Sequence, residues 1–258
     1  MLHCKNEKEV ELLRKSNLLV SLTLAELAKH IEPGITTSYL DAIAESFIRD
    51  NGAVPAFKGY NGFPATLCTS LNDTVVHGIP SNEELKEGDI ISVDCGVVLD
   101  GYVGDSAFTF PVGKITEEAR KLLEYTRASL EDGIQKAVAG NRVGDVSHAV
   151  QKKAESGGFS VVREFVGHGI GKKMHEPPEV PNFGRQGAGP LMKKGLVICI
   201  EPMINLGEKG VRMLNDGWTV KTIDGKYSAH FEKAVAIDKE KADVLTTFDY
   251  IDEVLTGK

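Results

Sequence analysis

The feature that most constrains the fold of this 258-residue chain is that its second half repeats the order of its first. The stretch "LKEGDIISVD" at 85–94 aligns with "MKKGLVICIE" at 192–201, and this alignment pairs Asp94 with Glu201. Repetition at a fixed spacing is the sequence signature of a duplicated structural unit. We therefore predict two halves of similar plan, related by a pseudo-twofold axis. The halves are residues about 1–112 and 113–258.

Glycines mark the same repeat. Gly34 and Gly140 lie 106 residues apart, as do Gly52 and Gly158. Each follows a stretch with helical periodicity, where a glycine commonly ends a helix. No linker rich in proline, serine or charge separates the two halves, so we predict one domain over residues 1–258.

Each half reads as two helices followed by strands, which predicts an α+β fold. Asn6 with Glu9 forms a capping-box pattern at the start of the first helix. The later elements follow from apolar periodicity and from turn residues. Predicted helices cover 6–31, 37–50, 116–138 and 144–156, and predicted strands cover 65–71, 74–78, 89–98, 102–110, 160–166, 195–201, 217–223 and 227–237.

Composition narrows the class of protein. The net charge of −7 argues against a DNA-binding protein, whose binding surface is usually basic. The first residues lack the apolar core of a signal peptide, and no apolar run is long enough for a membrane span. The four cysteines form no C-x-x-C pair, which favours reduced thiols. We predict a soluble, cytoplasmic protein without a membrane contact.

The stretch "ISVDCGVVLDGYVGDSAFTF" at 91–110 carries two acids inside predicted strands. A two-residue turn at Asp100-Gly101 would place Asp105 opposite Gly96. Asp94 and Asp105 then share one face of the hairpin as diagonal neighbours, about 7–8 Å apart at the backbone. Crowded carboxylates raise each other's pKa unless a cation lies between them. A divalent metal is one explanation, and two solvated aspartates on an exposed sheet face are the other.

Three further side chains in the second half suit a metal site. They are Glu201, Glu232 in an apolar strand, and His168 in a glycine-rich loop. Together with Asp94 and Asp105, the two glutamates make four carboxylates. Their combined charge balances that of two divalent cations. Such an oxygen-rich set suits Mn²⁺, Fe²⁺ or Co²⁺ and is compatible with Zn²⁺. No cysteine belongs to the set, so a thiolate-lined zinc site is excluded.

The order and surroundings of these five residues resemble type I methionine aminopeptidases, in "VDCGVVLDGYVGDSAF", "GHGIG", "IEPMI" and "HFEKAV". The resemblance covers essentially the whole chain. It implies the pita-bread fold, with two helix-helix-sheet halves around a central dinuclear metal site. It also implies removal of the initiator methionine from nascent polypeptides when the next residue is small.

The resemblance also implies a role for each ligand. Asp94 would chelate one metal, Asp105 and Glu232 would bridge both, and His168 and Glu201 would complete the shell of the other. A metal-bridging hydroxide would attack the scissile carbonyl, with Glu201 as general base.

Two histidines and an apolar wall complete the implied site. His175 would hydrogen-bond the carbonyl oxygen, and His77 would lie near the scissile nitrogen. Four positions depart from the usual type I pattern. This chain has Phe57 where a cysteine is common and Met174 where an aromatic residue is common. It has His230 and Lys233 where glutamine and histidine are more usual. The residues implied to line the methionine pocket are Tyr60, Phe63, Cys68, Trp218, Phe57 and Met174.

Plainer interpretations remain open. His77 and His175 could be surface histidines, and Trp218 could be a core residue. Lys172 and Lys173 suit a solvated face, or a transient contact with ribosomal RNA. The rival functions are an aminopeptidase P or prolidase, which would carry an extra N-terminal domain, and a non-catalytic binding protein, which would have lost ligands. A type II enzyme would carry an insertion between His168 and Glu201. We expect a monomer.

Overall fold

A computed structural model describes residues 2–257 and confirms the α+β class. No helix within these residues has both the length and the apolar character needed to cross a bilayer. The helices are α1 (Glu7–Ala28), α2 (Thr37–Asp50), α3 (Glu117–Ile134), α4 (Val143–Ser156) and α5 (Asp249–Thr256), with a short 3₁₀ turn at Tyr60–Gly62. The strands are β1 (Val54–Pro55), β2 (Leu67–Leu71), β3 (Thr74–Val76), β4 (Ile90–Leu99), β5 (Tyr102–Pro111), β6 (Ser160–Val161), β7 (Gly167–Gly169), β8 (Glu176–Val180), β9 (Val197–Ile200), β10 (Met203–Asn205), β11 (Val211–Met213), β12 (Val220–Thr222), β13 (Ser228–His230), β14 (Lys233–Ala236) and β15 (Asp243–Val244).

The first helix begins with the predicted capping box. The Asn6 side chain accepts from the Glu9 N–H at 3.1 Å, and the Glu9 carboxylate accepts from the Asn6 N–H at 3.0 Å. These two bonds satisfy backbone donors that a helix start leaves without intrahelical partners.

The hairpin of β4 and β5 has the predicted register. Gly96 pairs with Asp105, and Asp94 pairs with Ala107. Asp100 and Gly101 both take positive φ, 52° and 77°, which is the backbone of a type I′ turn. The turn chemistry therefore fixes the register and places both aspartates on one face.

Equivalent glycines in the two halves share one backbone conformation, which supports the predicted duplication. All of them lie in the left-handed region, where glycine carries no steric penalty. The φ values are 93° and 96° at Gly34 and Gly140, 75° and 83° at Gly52 and Gly158, and 92° and 85° at Gly88 and Gly195.

Several predicted bounds in the second half are wrong. The third helix ends at Ile134 rather than 138, and the strand predicted over 160–166 covers only Ser160–Val161. The strand predicted over 227–237 is broken into β13 and β14. The break occurs where the Glu232 N–H donates to the Ala107 carbonyl of β5 at 2.9 Å, so this residue pairs with the first half instead.

Five strands of the second half form one sheet, in the order β15-β14-β9-β7-β8. Strand β8 carries Pro177 and Pro178. The edge position explains how these prolines are tolerated, because an edge strand leaves half of its backbone donors outside the ladder. Proline is rare in strands, so the sequence pattern did not predict β8.

Helix α1 packs tightly against β5 at Gly104. A Cβ atom on Gly104 would lie 2.5 Å from the Ser16 carbonyl carbon. The next residue of α1, Asn17, is fully buried and accepts from the Asp105 N–H at 3.1 Å. The helix therefore fixes the backbone of the strand that carries Asp105.

We expect Gly104→Ala to destabilise the protein by about 1–3 kcal/mol, because the added methyl group would overlap the backbone of α1. Urea denaturation measures the change in the free energy of unfolding. Gly257→Ala is the matched control, because its new methyl group would meet its nearest atom at an ordinary 3.4 Å. Equal stability of the two variants would contradict the close packing of α1 on β5.

Candidate active site

A cavity of about 300 Å³ lies where strands of the two halves meet. All thirteen residues predicted for the site line this cavity. They are Phe57, Tyr60, Phe63, Cys68, His77, Asp94, Asp105, His168, Met174, His175, Glu201, Trp218 and Glu232.

The first half contributes its two acids from neighbouring strands. Asp94 on β4 lies opposite Ala107 on β5 and opposite Cys68 on β2. Small side chains on both sides leave space in front of the carboxylate. Asp105 on β5 is buried, with 4 % of its surface exposed.

The second half contributes Glu201 and Glu232 from positions just outside its strands. Glu201 follows β9, and its carbonyl accepts from the buried side-chain amide of Asn182 at 2.9 Å. Glu232 lies between β13 and β14, and its carbonyl accepts from the Ser106 hydroxyl at 2.6 Å. Hydrogen bonds from Ser106 and to Ala107 thus hold Glu232 against the strand that carries Asp105.

His168 lies in strand β7, not in the glycine loop that the sequence indicated. Its Nδ1 lies 3.0 Å from the Gly169 carbonyl, which makes Nδ1 the donor and leaves Nε2 unprotonated. Nε2 faces two carboxylates, 3.7 Å from Asp105 Oδ2 and 3.6 Å from Glu201 Oε1. This is the tautomer and orientation that a metal-ligating imidazole needs.

One cysteine, which the sequence analysis did not connect with the site, lies beside the predicted ligands. Cys199 is fully buried, and its Sγ belongs with donor atoms of Asp105, His168 and Glu232 to a group whose members all lie within 4.8 Å of one another. Alternation along β9 explains this placement, because residues two apart share a face, and Glu201 follows Cys199 by two. Burial and the nearby acids raise the pKa of the Cys199 thiol, so it stays protonated and donates to Glu232.

The four acids perturb one another. Burial raises the pKa of Asp94 to about 7. Burial and the charge of Glu232 raise the pKa of Asp105 well above its usual range. Burial and the neighbouring acids likewise raise the pKa of Glu201 and of Glu232 well above theirs. No lysine or arginine is among the described residues that line the cavity.

Several polar atoms at this centre have no partner within the protein. Asp94 Oδ1, Asp105 Oδ1 and Glu232 Oε1 are buried and accept no hydrogen bond from the described residues. Buried acceptors of this kind are costly unless something positive satisfies them. Clustered carboxylates with free oxygens and one imidazole fit hard divalent cations. The donor set therefore fits the cations that the sequence predicted.

Two further histidines face the cavity and are neutral at pH 7. Burial lowers the pKa of His77 to about 4 and also lowers the pKa of His175. The Tyr60 hydroxyl lies 2.9 Å from His175 Nδ1. The backbone of His77 has a φ of 58°, an unusual value for a residue other than glycine. Residues with such strain cluster at functional sites, which argues against a plain surface histidine.

Apolar side chains form another part of the cavity lining. The rings of Phe63 and Trp218 meet edge to face, with centroids 5.1 Å apart, and Cys68 packs with them. The ring of Phe57 lies over Gly96, where a Cβ atom would come within 2.6 Å of it. Met174 belongs to the same apolar cluster as Phe57. Trp218 thus lines the cavity rather than the main core.

The other two unusual residues point in different directions. His230 lines the cavity, and its Nε2 lies 3.7 Å from Glu201 Oε2. The Lys233 ammonium lies 2.7 Å from Glu131 and 4.4 Å from the centre of the Phe248 ring. Lys233 therefore has a structural contact outside the cavity.

Sequence reasoning missed part of the lining. Met203 could have been found, because it follows Glu201 by two residues, and it pairs with His230 across β10 and β13. The remaining residues carry no chemical signal in the sequence, since they are apolar or lie in turns. The missed lining residues are Asn61, Val76, Phe165, Val166 and Met203.

Comparisons with known proteins agree with this geometry. Residues 11–239 match metallopeptidase family M24. The chain is 54% identical over 246 residues to a methionine aminopeptidase of Clostridium perfringens, covering 95% of this chain and 99% of that one. It is 51% identical to methionine aminopeptidase 1 of Bacillus subtilis, again over 95% of this chain and 99% of that one. The crystal structure of methionine aminopeptidase from Rickettsia prowazekii superposes with a TM-score of 0.95 at 37% identity, covering 96% of this chain and 100% of that one.

The crowded carboxylates predict a pH-dependent instability of the metal-free protein. Unfolding returns Asp94 to an ordinary pKa of 3.8, whereas the folded protein holds the pKa at about 7. A raised pKa favours folding below the unfolded value, and this advantage is lost as the pH rises through about 7. In EDTA, the advantage of Asp94→Asn over the unmodified protein in the free energy of unfolding, measured by urea denaturation, should therefore widen by about 1–3 kcal/mol between pH 5.5 and pH 8.5.

Asp100→Asn is the control for this comparison, because Asp100 is exposed and lies in a turn position that asparagine also tolerates. A gap between Asp94→Asn and the unmodified protein that stays constant or narrows as the pH rises would contradict the electrostatic account.

Proposed function

The chain belongs to metallopeptidase family M24 and, within it, to the methionine aminopeptidases, and from this membership we propose that it removes an N-terminal methionine from polypeptides whose next residue is small. One observation carries the proposal. Four carboxylates and an imidazole, from both halves of the chain, converge in a cavity in which described residues offer them no lysine or arginine.

The size of the cavity favours action at a chain end. A volume of about 300 Å³ is at the lower end of the range for small-ligand pockets. Such a space suits the first one or two residues of a polypeptide. The wall of Phe57, Phe63, Cys68 and Trp218 suits a methionine side chain, since a thioether packs well against aromatic rings.

Two divalent cations, drawn from Mn²⁺, Fe²⁺ or Co²⁺ with Zn²⁺ also compatible, would occupy the centre. Asp94, Asp105, His168, Glu201 and Glu232 would hold them. Bound there, the cations would polarise the scissile carbonyl and acidify the attacking water.

Glu201 is placed to move the proton of the reaction. Its carboxylate reaches the cavity, with 13% of the side chain exposed. From this position it can accept the proton of the attacking water and pass it on to the leaving amine, which is the role of a general base.

His175 and His77 would act on the two atoms of the scissile bond. The Tyr60 hydroxyl lies 2.9 Å from His175 Nδ1, and when it donates to this nitrogen the proton of the neutral ring is on Nε2. Nε2 can then donate to the carbonyl oxygen as negative charge develops on it. His77, also neutral at pH 7, is the candidate for contact with the scissile nitrogen.

The setting of the enzyme follows from its substrate class. Nascent polypeptides are made in the cytoplasm, and we propose that the enzyme acts there as a monomer. Lys172 and Lys173 are both exposed beside the segment that carries His175, where they could meet ribosomal RNA transiently.

We expect the purified protein with Mn²⁺ or Co²⁺ to release methionine from Met-Ala-Ser and to leave Ala-Pro-Ala intact. Chromatography of the free amino acids measures both reactions. EDTA should stop the cleavage, and renewed addition of the metal should restore it. Faster cleavage of Ala-Pro-Ala would indicate an aminopeptidase P instead. Metal binding without cleavage of either peptide would indicate a non-catalytic binding protein.

We expect Glu201→Gln to lower kcat for Met-Ala-Ser by at least about 10²-fold, because general acid–base groups contribute about 10²–10⁴-fold. Circular dichroism should show unchanged folding. Glu240→Gln removes a carboxylate at an exposed position and should keep full activity. Turnover of Glu201→Gln close to that of Glu240→Gln would remove Glu201 from the mechanism.

A further inference from the structure

His230 has a nitrogen without a hydrogen-bond partner in the lining of the cavity. Only 2% of the residue is exposed, and Nε2 is buried with no hydrogen-bond partner among the described residues. Glu201 Oε2 lies 3.7 Å from this nitrogen. A buried polar nitrogen without a partner is rare in folded proteins, and its presence at a cavity calls for a functional explanation.

The backbone holds His230 in this place. The Thr109 hydroxyl donates to the His230 carbonyl at 2.7 Å. The His230 N–H in turn lies 2.9 Å from Thr109 Oγ1. Ser92 lies 2.8 Å from Thr109 Oγ1 on the neighbouring strand. These bonds fix the backbone of His230 on β13. Rotation about the side-chain bonds then sets the distance from Nε2 to Glu201 Oε2.

The carboxylate of Glu201 lies between two imidazoles that face different oxygens. His168 Nε2 lies 3.6 Å from Oε1, whereas His230 Nε2 lies 3.7 Å from Oε2. His168 donates through Nδ1 to the carbonyl of Gly169, so its Nε2 offers a lone pair and no proton to Glu201. His230 is the histidine of the two that can donate to this carboxylate.

We propose that His230 is a positioning residue, whose Nε2–H donates to Oε2 of Glu201 and leaves Oε1 for a cation. The proposal rests on the proposed function for its kinetic consequence, because Glu201 is the general base there. Hydrogen bonds that orient a ligating carboxylate typically change metal affinity by about 10–100-fold when they are removed. The same bond would fix the direction in which Glu201 accepts a proton.

A purely steric role makes a different prediction. His230 pairs with Met203, and Phe165 lies on the same cavity wall. A residue that only shapes this wall would select among substrates by the size of the residue after methionine. A residue that positions Glu201 would affect every substrate by the same factor.

The test compares His230→Leu, which removes the donor, with His230→Gln, which keeps an N–H donor. Mn²⁺ affinity is measured by isothermal titration calorimetry, and kcat and KM are measured for Met-Gly-Ser, Met-Ala-Ser and Met-Thr-Ser. For His230→Leu we expect about 10- to 100-fold weaker Mn²⁺ binding and a uniform fall in kcat of about 10- to 100-fold, with little change in KM at saturating metal. His230→Gln should stay within about threefold of the unmodified enzyme in both measurements.

His148→Leu is the matched control, because it makes the same exchange on α4 away from the cavity, and it should leave both measurements unchanged. If circular dichroism shows that His230→Leu is unfolded, His230→Met fills similar space without a donor and replaces it. Unchanged Mn²⁺ affinity in the donor-free variant, or a kcat loss confined to the larger second residues, would overturn the proposal. Failure of the unmodified enzyme on every peptide would instead refute the proposed function, and the calorimetric comparison would still decide the role of His230.

Discussion

The removal of four clustered carboxylates from water is the constraint on which the rest of the structure depends. Asp94 and Asp105 come from the first half, and Glu201 and Glu232 come from the second. Burial raises the pKa of each, and the described lining of their cavity offers no cationic side chain. A protein interior tolerates such a group only if the acids are protonated or bound to cations. The fold is therefore built around charge that the protein does not neutralise by itself.

Holding these acids together requires rigid support from both halves. The Asp105 N–H donates to the fully buried Asn17 of α1, and the Glu232 backbone is held by Ser106 and Ala107. Glu201 is held through its carbonyl by Asn182. Every one of these contacts fixes backbone rather than carboxylate oxygen, so the acids keep their free acceptors for a ligand. Support of this kind holds the acids in position while their carboxylate oxygens stay available to a ligand.

Much of this arrangement could be predicted because the signals are local. The Asp-Gly turn sets the register of β4 and β5, and alternation then determines which residues share a face. The break at Glu232 could not be predicted, because it depends on a hydrogen bond to Ala107 in the other half. Cys199 was missed for a related reason. Its distance from His168 is set by the pairing of β7 with β9, which the sequence pattern does not contain.

His230 and Lys233, which flank Glu232 and depart from the usual type I pattern, point in different directions. Lys233 follows Glu232 directly, and its ammonium lies against Glu131 and the Phe248 ring, outside the cavity. His230 points into the cavity beside Glu201. The break between β13 and β14 thus separates two tasks, stability for Lys233 and chemistry for His230. Because Thr109 fixes the backbone of His230 from the first half, the position of the base on the second half depends on both halves at once.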